Sequence, residues 1–420
     1  TYNFDKITNR KGTNCLKYDF AVERGKPADV LPLWVADMDF PVSEEISKSL
    51  HAAVEHGIYG YTQPKDAYYN AVMNWMERKH NWKTKREWIV KTPGVVFALG
   101  AAVKAFTDPG DAILIQNPVY YPFTNIIRDN DRKVVDNTLV YHSVTERTVV
   151  PVTTDDASEQ QINNVGTVSP AYQIDFEDFE RKIEQEHVKL FILCNPHNPV
   201  GRVWTVEELQ KLGEICLRHH VIVVSDEIHN DFVYPGYEHT VFANVDPRFA
   251  EFTLTCTAPS KTFNLAGLQV SNIFISNEDL RKAFKTEIDR TGYDEPNALG
   301  VVACEAAYRA GEDWLDQLKA YLLKNLNFLR DFLQEKLPQI HLVEPEGTYL
   351  VWLDCSELGI TGKELDQFIV DKAGLWLDGG SMFGPDGAAF QRVNIACPQA
   401  TLELALNKLK AAVEGYGNHL

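Results

Sequence analysis

Along the chain, short apolar runs rich in β-branched residues alternate with longer stretches whose apolar positions recur every three or four residues. That alternation predicts an α/β fold with a mostly parallel sheet. Ala112–Ile115, Lys189–Leu193, Val221–Val224, Phe252–Thr255 and Asn272–Ile275 are apolar at successive positions, so each predicts a strand buried on both faces. Thr205-Val206-Glu207-Glu208 predicts a helix start, with a hydroxyl that accepts from the Glu208 N–H and a carboxylate that reaches back; this helix runs to about His219-His220. From Pro296 to Leu337 the period stays helical with few breaks, which predicts one long connecting helix. Thr348–Leu353, Gly374–Leu377 and Arg392–Ile395 then predict strands of a second, smaller α+β unit. The expected division is an N-terminal arm over 1–45 that joins the small domain, a large domain over 46–290, and a connecting helix with the small domain over 291–420. The stretch from Asn137 to Tyr172 keeps neither period and reads as a surface excursion.

Composition narrows the function classes. At 420 residues, 45% hydrophobic and 24% charged, the chain has the make-up of a folded protein of roughly two or three domains. Lys and Arg total 41 against 59 for Asp and Glu, a net charge of −18 that repels nucleic acid and anionic membrane surfaces. An anionic ligand therefore needs a local set of cations and backbone N–H groups. The 7 cysteines are scattered, odd in number and without a C-x-x-C pair, so neither a disulfide framework nor a metal site is expected. Buried thiols fit a reducing cytosol. Thr1–Lys6 lacks a secretion pattern and no apolar stretch reaches spanning length, which predicts a soluble cytoplasmic protein.

Chemistry-bearing motifs come next. No G-x-x-x-x-G-K-[ST] loop, H-E-x-x-H helix or G-x-S-x-G elbow occurs. Lys261, in Ala258-Pro259-Ser260-Lys261-Thr262-Phe263-Asn264, follows a predicted buried strand and is flanked by apolar and small residues. Desolvation lowers an amine's pKa and readies it to attack a carbonyl carbon, although on this segment alone a lysine snorkelling at a strand end is the simpler account. Asp226 ends another predicted strand, where open α/β sheets gather ligand groups, and it needs a cationic partner there. A protonated pyridine nitrogen is such a partner. Cys194-Asn195-Pro196-His197-Asn198-Pro199-Val200-Gly201-Arg202 reads as a rigid two-proline turn, either structural or presenting its amides and imidazole.

Together these segments resemble the fold-type I pyridoxal 5′-phosphate enzymes of the aspartate aminotransferase superfamily. Trp34–Phe40, His56–Tyr61, Asn117–Phe123, Asn195–Arg202, Asp226–His229 and Ser260–Asn264 are similar in particular to the MalY/PatB-type cystathionine β-lyases, and the likeness spans nearly the whole chain. The resemblance implies a large cofactor-binding domain with a mostly parallel sheet. It implies that Lys261 carries the cofactor covalently and shuttles the Cα proton, that Asp226 pairs with the ring nitrogen, and that Asn198 donates to the ring oxygen. Tyr120 is implied over the ring face, and Gly94, Val95 and Val96 form the phosphate cup at a helix N-terminus. Ser260 adds a hydroxyl to the phosphate, and Tyr61 does so from the neighbouring subunit of a homodimer. Arg392 is implied to grip the substrate α-carboxylate, with Tyr121 and Asp37 beside it.

Two positions depart from the aminotransferase pattern. His229 stands three residues after Asp226, where many aminotransferases have tyrosine, and Gln269 stands eight after Lys261, where they commonly have a phosphate-binding arginine. The first matches the lyase branch and places His229 among the cofactor ligands. The implied activity is a carbon–sulfur β-lyase that converts cystathionine or cysteine-type substrates to a thiol, pyruvate and ammonia. An aminotransferase on the same fold is the alternative. A regulatory interaction role also stands beside them, since some relatives bind a transcription factor.

Overall fold

The computed structural model describes residues 1–144, 149–150 and 167–417. The five predicted apolar strands become neighbours in a seven-stranded sheet of spatial order Ile89–Thr92, Ser271–Phe274, Thr253–Thr257, Ile222–Asp226, Leu190–Cys194, Ala112–Ile115, Lys133–Asp136. The last five are mutually parallel, and Ser271–Phe274 runs antiparallel to both of its neighbours. The connection 258–270 between Thr253–Thr257 and Ser271–Phe274 holds only the helical turn Pro259–Thr262 and the 3-10 turn Ala266–Leu268, not the crossover helix that usually joins parallel neighbours.

Successive side chains point to opposite faces, so an all-apolar strand feeds two cores at once. Phe191 and Leu193 pack with Phe179, Leu209, Leu212 and Phe249 on one face. Leu190, Ile192 and Cys194 pack with Ala98, Leu99, Phe123 and Phe284 on the other. Helix Val206–Arg218 begins at the predicted capping box, with both the Thr205 and Glu208 side-chain bonds formed.

The single connecting helix expected over 296–337 is instead two, Ala298–Ala310 and Glu312–Lys336. They are separated at Gly311, where a Cβ would lie 2.5 Å from both the Ala307 carbonyl and the Phe263 ring. A four-stranded antiparallel sheet follows, in the order His341–Val343, Leu350–Asp354, Phe390–Asn394, Asp378–Gly379. Its second strand starts two residues later than the sequence suggests, because Thr348 sits at a φ of 68° and interrupts the extended run. Near the start of the chain, Leu31–Pro32 pairs in parallel with Leu375–Trp376. Of the expected excursion, Val140–Tyr141 pairs with Tyr172–Gln173. Residues 145–148 and 151–166 lie outside the described residues. No helix among the described residues is long and apolar enough to cross a membrane.

In helix Val206–Arg218, Gly213 faces Phe249 so closely that a Cβ would sit 2.1 Å from its ring. Gly213→Ala is expected to lower the unfolding free energy by about 1–3 kcal/mol through overpacking, read as a lower denaturant midpoint at unchanged m-value.

Candidate active site

The parallel strands end at one edge, and the residues that follow them meet there. Cys194 and Asp226 close their strands in register with each other, and Asp226 is also level with Cys256, five residues before Lys261. Lys261 rides on the single helical turn Pro259–Thr262 that follows strand Thr253–Thr257. A cavity of about 210 Å³ opens at this edge, and Gly94, Val95, Val96, Tyr120, Asn198, Asp226, His229, Ser260 and Lys261 all line it.

Its electrostatics are set by burial. The Lys261 amine donates to the Ala36 carbonyl at 2.8 Å. Its pKa is pushed down to about 8 by desolvation, with Arg392 acting the same way and Asp37 and Asp226 opposing. Desolvation raises Asp226 to about 7, against the Ile228 N–H at 3.2 Å and the charge of Lys261. His229 is held well below the usual imidazole range by burial and then by Lys261 and Arg392, so its ring is neutral, and its buried Nδ1 has no partner. Burial also raises the Tyr120 phenol.

Helix Val95–Phe106 starts at Gly94 without a side-chain cap. Its first N–H groups are free of intrahelical partners, and a Cβ at Gly94 would meet nothing within 4 Å. The cavity therefore offers a carboxylate short of donors, an amine of lowered pKa and an uncapped helix N-terminus. A ligand with a basic ring nitrogen, a carbonyl and a phosphate answers all three, so the donor set fits pyridoxal 5′-phosphate.

One cavity wall is irregular backbone. Between residues 34 and 40 the carbonyls are taken by side chains from far along the chain. Arg392 donates to Trp34 O at 2.9 Å, Asn394 to Val35 O and Asp37 O at 2.8 and 2.7 Å, and Tyr349 joins Lys261 on Ala36 O at 3.1 Å. Asn264 donates to Met38 O and Phe40 O and accepts from the Met38 N–H. Asn264 lies in a motif the sequence singles out, but its role as a backbone clamp, like those of Asn394 and Tyr349, carries no local signal.

Four expected site residues lie off the cavity wall. Arg10 takes the Asp37 carboxylate in a two-pronged pair at 2.7 and 2.8 Å, while Asp39 is shared by Arg10, Lys17 and the Tyr18 hydroxyl. Asp37 acts on Lys261 through its charge. Arg392 is buried and already engaged, with Asn198 Oδ1 at 3.0 Å and with Asp378, its cross-strand neighbour, at 2.6 Å; its Nε has no partner. Burial raises Asp378 even though Arg392 pulls it down. Sequence reasoning missed Asp378. Tyr121 packs on Tyr120 and Phe383, with ring centroids 5.6 and 5.8 Å away, and its hydroxyl is raised by burial and Asp378. Tyr61 is wholly exposed and does not reach the cavity of its own chain.

The profile of the family described as aminotransferase class I and II matches residues 28–409. Over 411 residues the chain is 44% identical to the cystathionine beta-lyase PatB of Bacillus subtilis, covering 98% of this chain and 100% of PatB. It is 30% identical to protein MalY of Escherichia coli over 414 residues, 98% of this chain and 99% of MalY. Among solved structures, cystalysin from Treponema denticola, which contains a pyridoxal 5′-phosphate cofactor, superposes with a TM-score of 0.90 at 36% identity over 99% of each chain. With the fold, the lysine and the buried carboxylate in these places, the chain belongs to the aminotransferase class I and II family, in the branch of PatB and MalY.

Proposed function

We propose that this protein is a pyridoxal 5′-phosphate-dependent carbon–sulfur β-lyase that cleaves cystathionine or related S-substituted cysteines to a thiol, pyruvate and ammonia. The observation that carries the reading is the convergence of Lys261 and Asp226 in one cavity, in a chain 44% identical over its length to a cystathionine beta-lyase. Bound there, the cofactor supplies a carbonyl carbon for amines and an electron sink through its ring nitrogen.

The chain's own residues do the rest. Asp226, whose pKa burial raises, would hold a proton on the ring nitrogen. The free N–H groups of Val95 and Val96, beside Gly94 and with the Ser260 hydroxyl, receive the phosphate. Asn198 turns its Oδ1 to Arg392, which leaves its NH₂ to donate to the ring oxygen of a bound cofactor, and the neutral His229 ring would add to the cofactor's contacts from the same cavity. Tyr120 packs on the ring face. Arg392 takes the substrate α-carboxylate, which has to compete with Asp378 for its fork. Lys261, with a pKa near 8, is partly neutral at neutral pH and moves the Cα proton. Tyr121 and the backbone of 34–37 bound the substrate side and hold the Cβ–S bond in position to break.

The second half of the proposal is a homodimer with shared sites. Ile58, Tyr59 and Tyr61 form an exposed apolar stretch, and Tyr61 has no packing in its own chain, as expected of a residue that completes the partner's phosphate site. The cysteines are all free, which supports a reducing compartment such as the cytoplasm.

With cystathionine and no keto-acid acceptor, the protein is expected to release pyruvate over many turnovers, and Lys261→Ala to lose roughly 10²–10⁴-fold or more of that rate. Stoichiometric cofactor conversion without pyruvate would sink the lyase assignment in favour of transamination. In cofactor-free protein, labelling of Lys261 by an amine-directed reagent should rise with pH around 8, because the neutral amine appears at lower pH than on surface lysines; Arg392→Gln should move the midpoint upward. Tyr61→Ala and Lys261→Ala chains, each deficient alone, should regain activity when co-refolded, and failure to do so would overturn the shared site.

A further inference from the structure

Behind the cavity wall lies a set of buried titratable groups that the mechanism above leaves unused. The Asp231 carboxylate accepts from His80 Nε2 at 2.8 Å, from Trp75 Nε1 at 3.1 and 3.3 Å, and from the Thr262 hydroxyl at 2.8 Å. Asp231 and Thr262 are 6% and 0% exposed. Burial alone would raise this carboxyl; the charge and hydrogen bond of His80, with the Thr262 and Trp75 bonds, hold it below the usual range. The His80 ring meets His239 edge-on at 5.4 Å, and His239 in turn bonds Glu227 at 2.7 Å.

Three segments converge on Asp231. Trp75 and His80 belong to helix Asp66–His80, Asp231 lies in the turn that follows strand Ile222–Asp226, and Thr262 immediately follows Lys261. The turn Pro259–Thr262 has four residues, too short to hold itself. Its Lys261 side chain is tied to Ala36 O only while the amine is free. The Thr262 bond does not depend on what Lys261 is doing, and it ties the lysine's turn to the segment that leaves the strand ending in Asp226.

Resting on the cofactor reading above, we propose that Asp231 is a positioning residue: through the Thr262 hydroxyl it fixes the Lys261 turn against the segment that follows Asp226, so that the amine reaches the cofactor's aldehyde while Asp226 holds the ring nitrogen. The reaction that depends on this is attack of the Lys261 amine on the aldehyde carbon, with loss of one water.

Pyridoxamine 5′-phosphate shares the ring and phosphate but has no aldehyde, which separates positioning of the lysine from general integrity of the cavity. Full-length protein stripped of cofactor is titrated with each compound and binding is followed by protein fluorescence. Thr262→Val should weaken pyridoxal 5′-phosphate binding about tenfold and leave pyridoxamine 5′-phosphate unchanged, and Thr262→Ser, which keeps the hydroxyl, should restore the parent value. Thr262→Ala gives the same comparison if valine does not fit. Equal weakening of both compounds, or no weakening of either, overturns the proposal while leaving the cofactor reading intact. A parent protein that binds neither compound overturns that reading and this proposal together.

Discussion

A peptide carbonyl buried away from water has to find a donor, and the segment from Trp34 to Phe40 lies in neither helix nor strand to supply one. Its carbonyls are met instead by Arg392, Asn394, Lys261, Tyr349 and Asn264. The demand for backbone satisfaction and the demand for chemistry thus fall on overlapping side chains. Lys261 and Arg392, proposed to handle the substrate's proton and its carboxylate, are both held by carbonyls of this one segment, those of Ala36 and Trp34. The Arg10, Lys17, Asp37 and Asp39 cluster fixes the segment from its other side with two cations on two anions.

Burial does the remaining tuning. The same desolvation that lowers the Lys261 amine raises the Asp226 carboxyl, so the two pKa values approach each other at about 8 and about 7. Neither group has an ion-pair partner close enough to quench it. Arg392 differs, because Asp378 neutralises it at 2.6 Å within a sheet pair. The cavity keeps two loosely held charges beside one tightly held pair, and a zwitterionic amino acid with an aldehyde-bearing cofactor is complementary to that arrangement.

What the sequence made legible was local. The strands around Phe191 and Val223 announce themselves as apolar runs, and the capping box at Thr205 is complete within four residues. The motifs that carry Lys261, Asp226 and Asn198 stand at strand ends, where a sheet of this kind gathers its ligands. What stayed hidden depends on pairs that only folding brings together. Asn264 and Met38 are 226 residues apart, Arg392 and Trp34 are 358 apart, and no spacing rule links Asp378 to Arg392. That an arginine 27 residues upstream takes the carboxylate of Asp37 is likewise not written in any local spacing. The break at Gly311 was invisible because apolar periodicity continues on both sides of it, and the glycine there leaves clearance for Phe263 and the Ala307 carbonyl.

That clearance has a mechanical consequence. The Phe263 ring is wedged at the joint between helices Ala298–Ala310 and Glu312–Lys336, and it is also two peptide units from Lys261. The same ring meets Trp75, Tyr308 and Trp314, so the joint, helix Asp66–His80 and the turn that bears Lys261 share one aromatic contact. A side chain at position 311 would press on that ring, so the glycine of the elbow and the seating of the lysine's turn answer to the same packing.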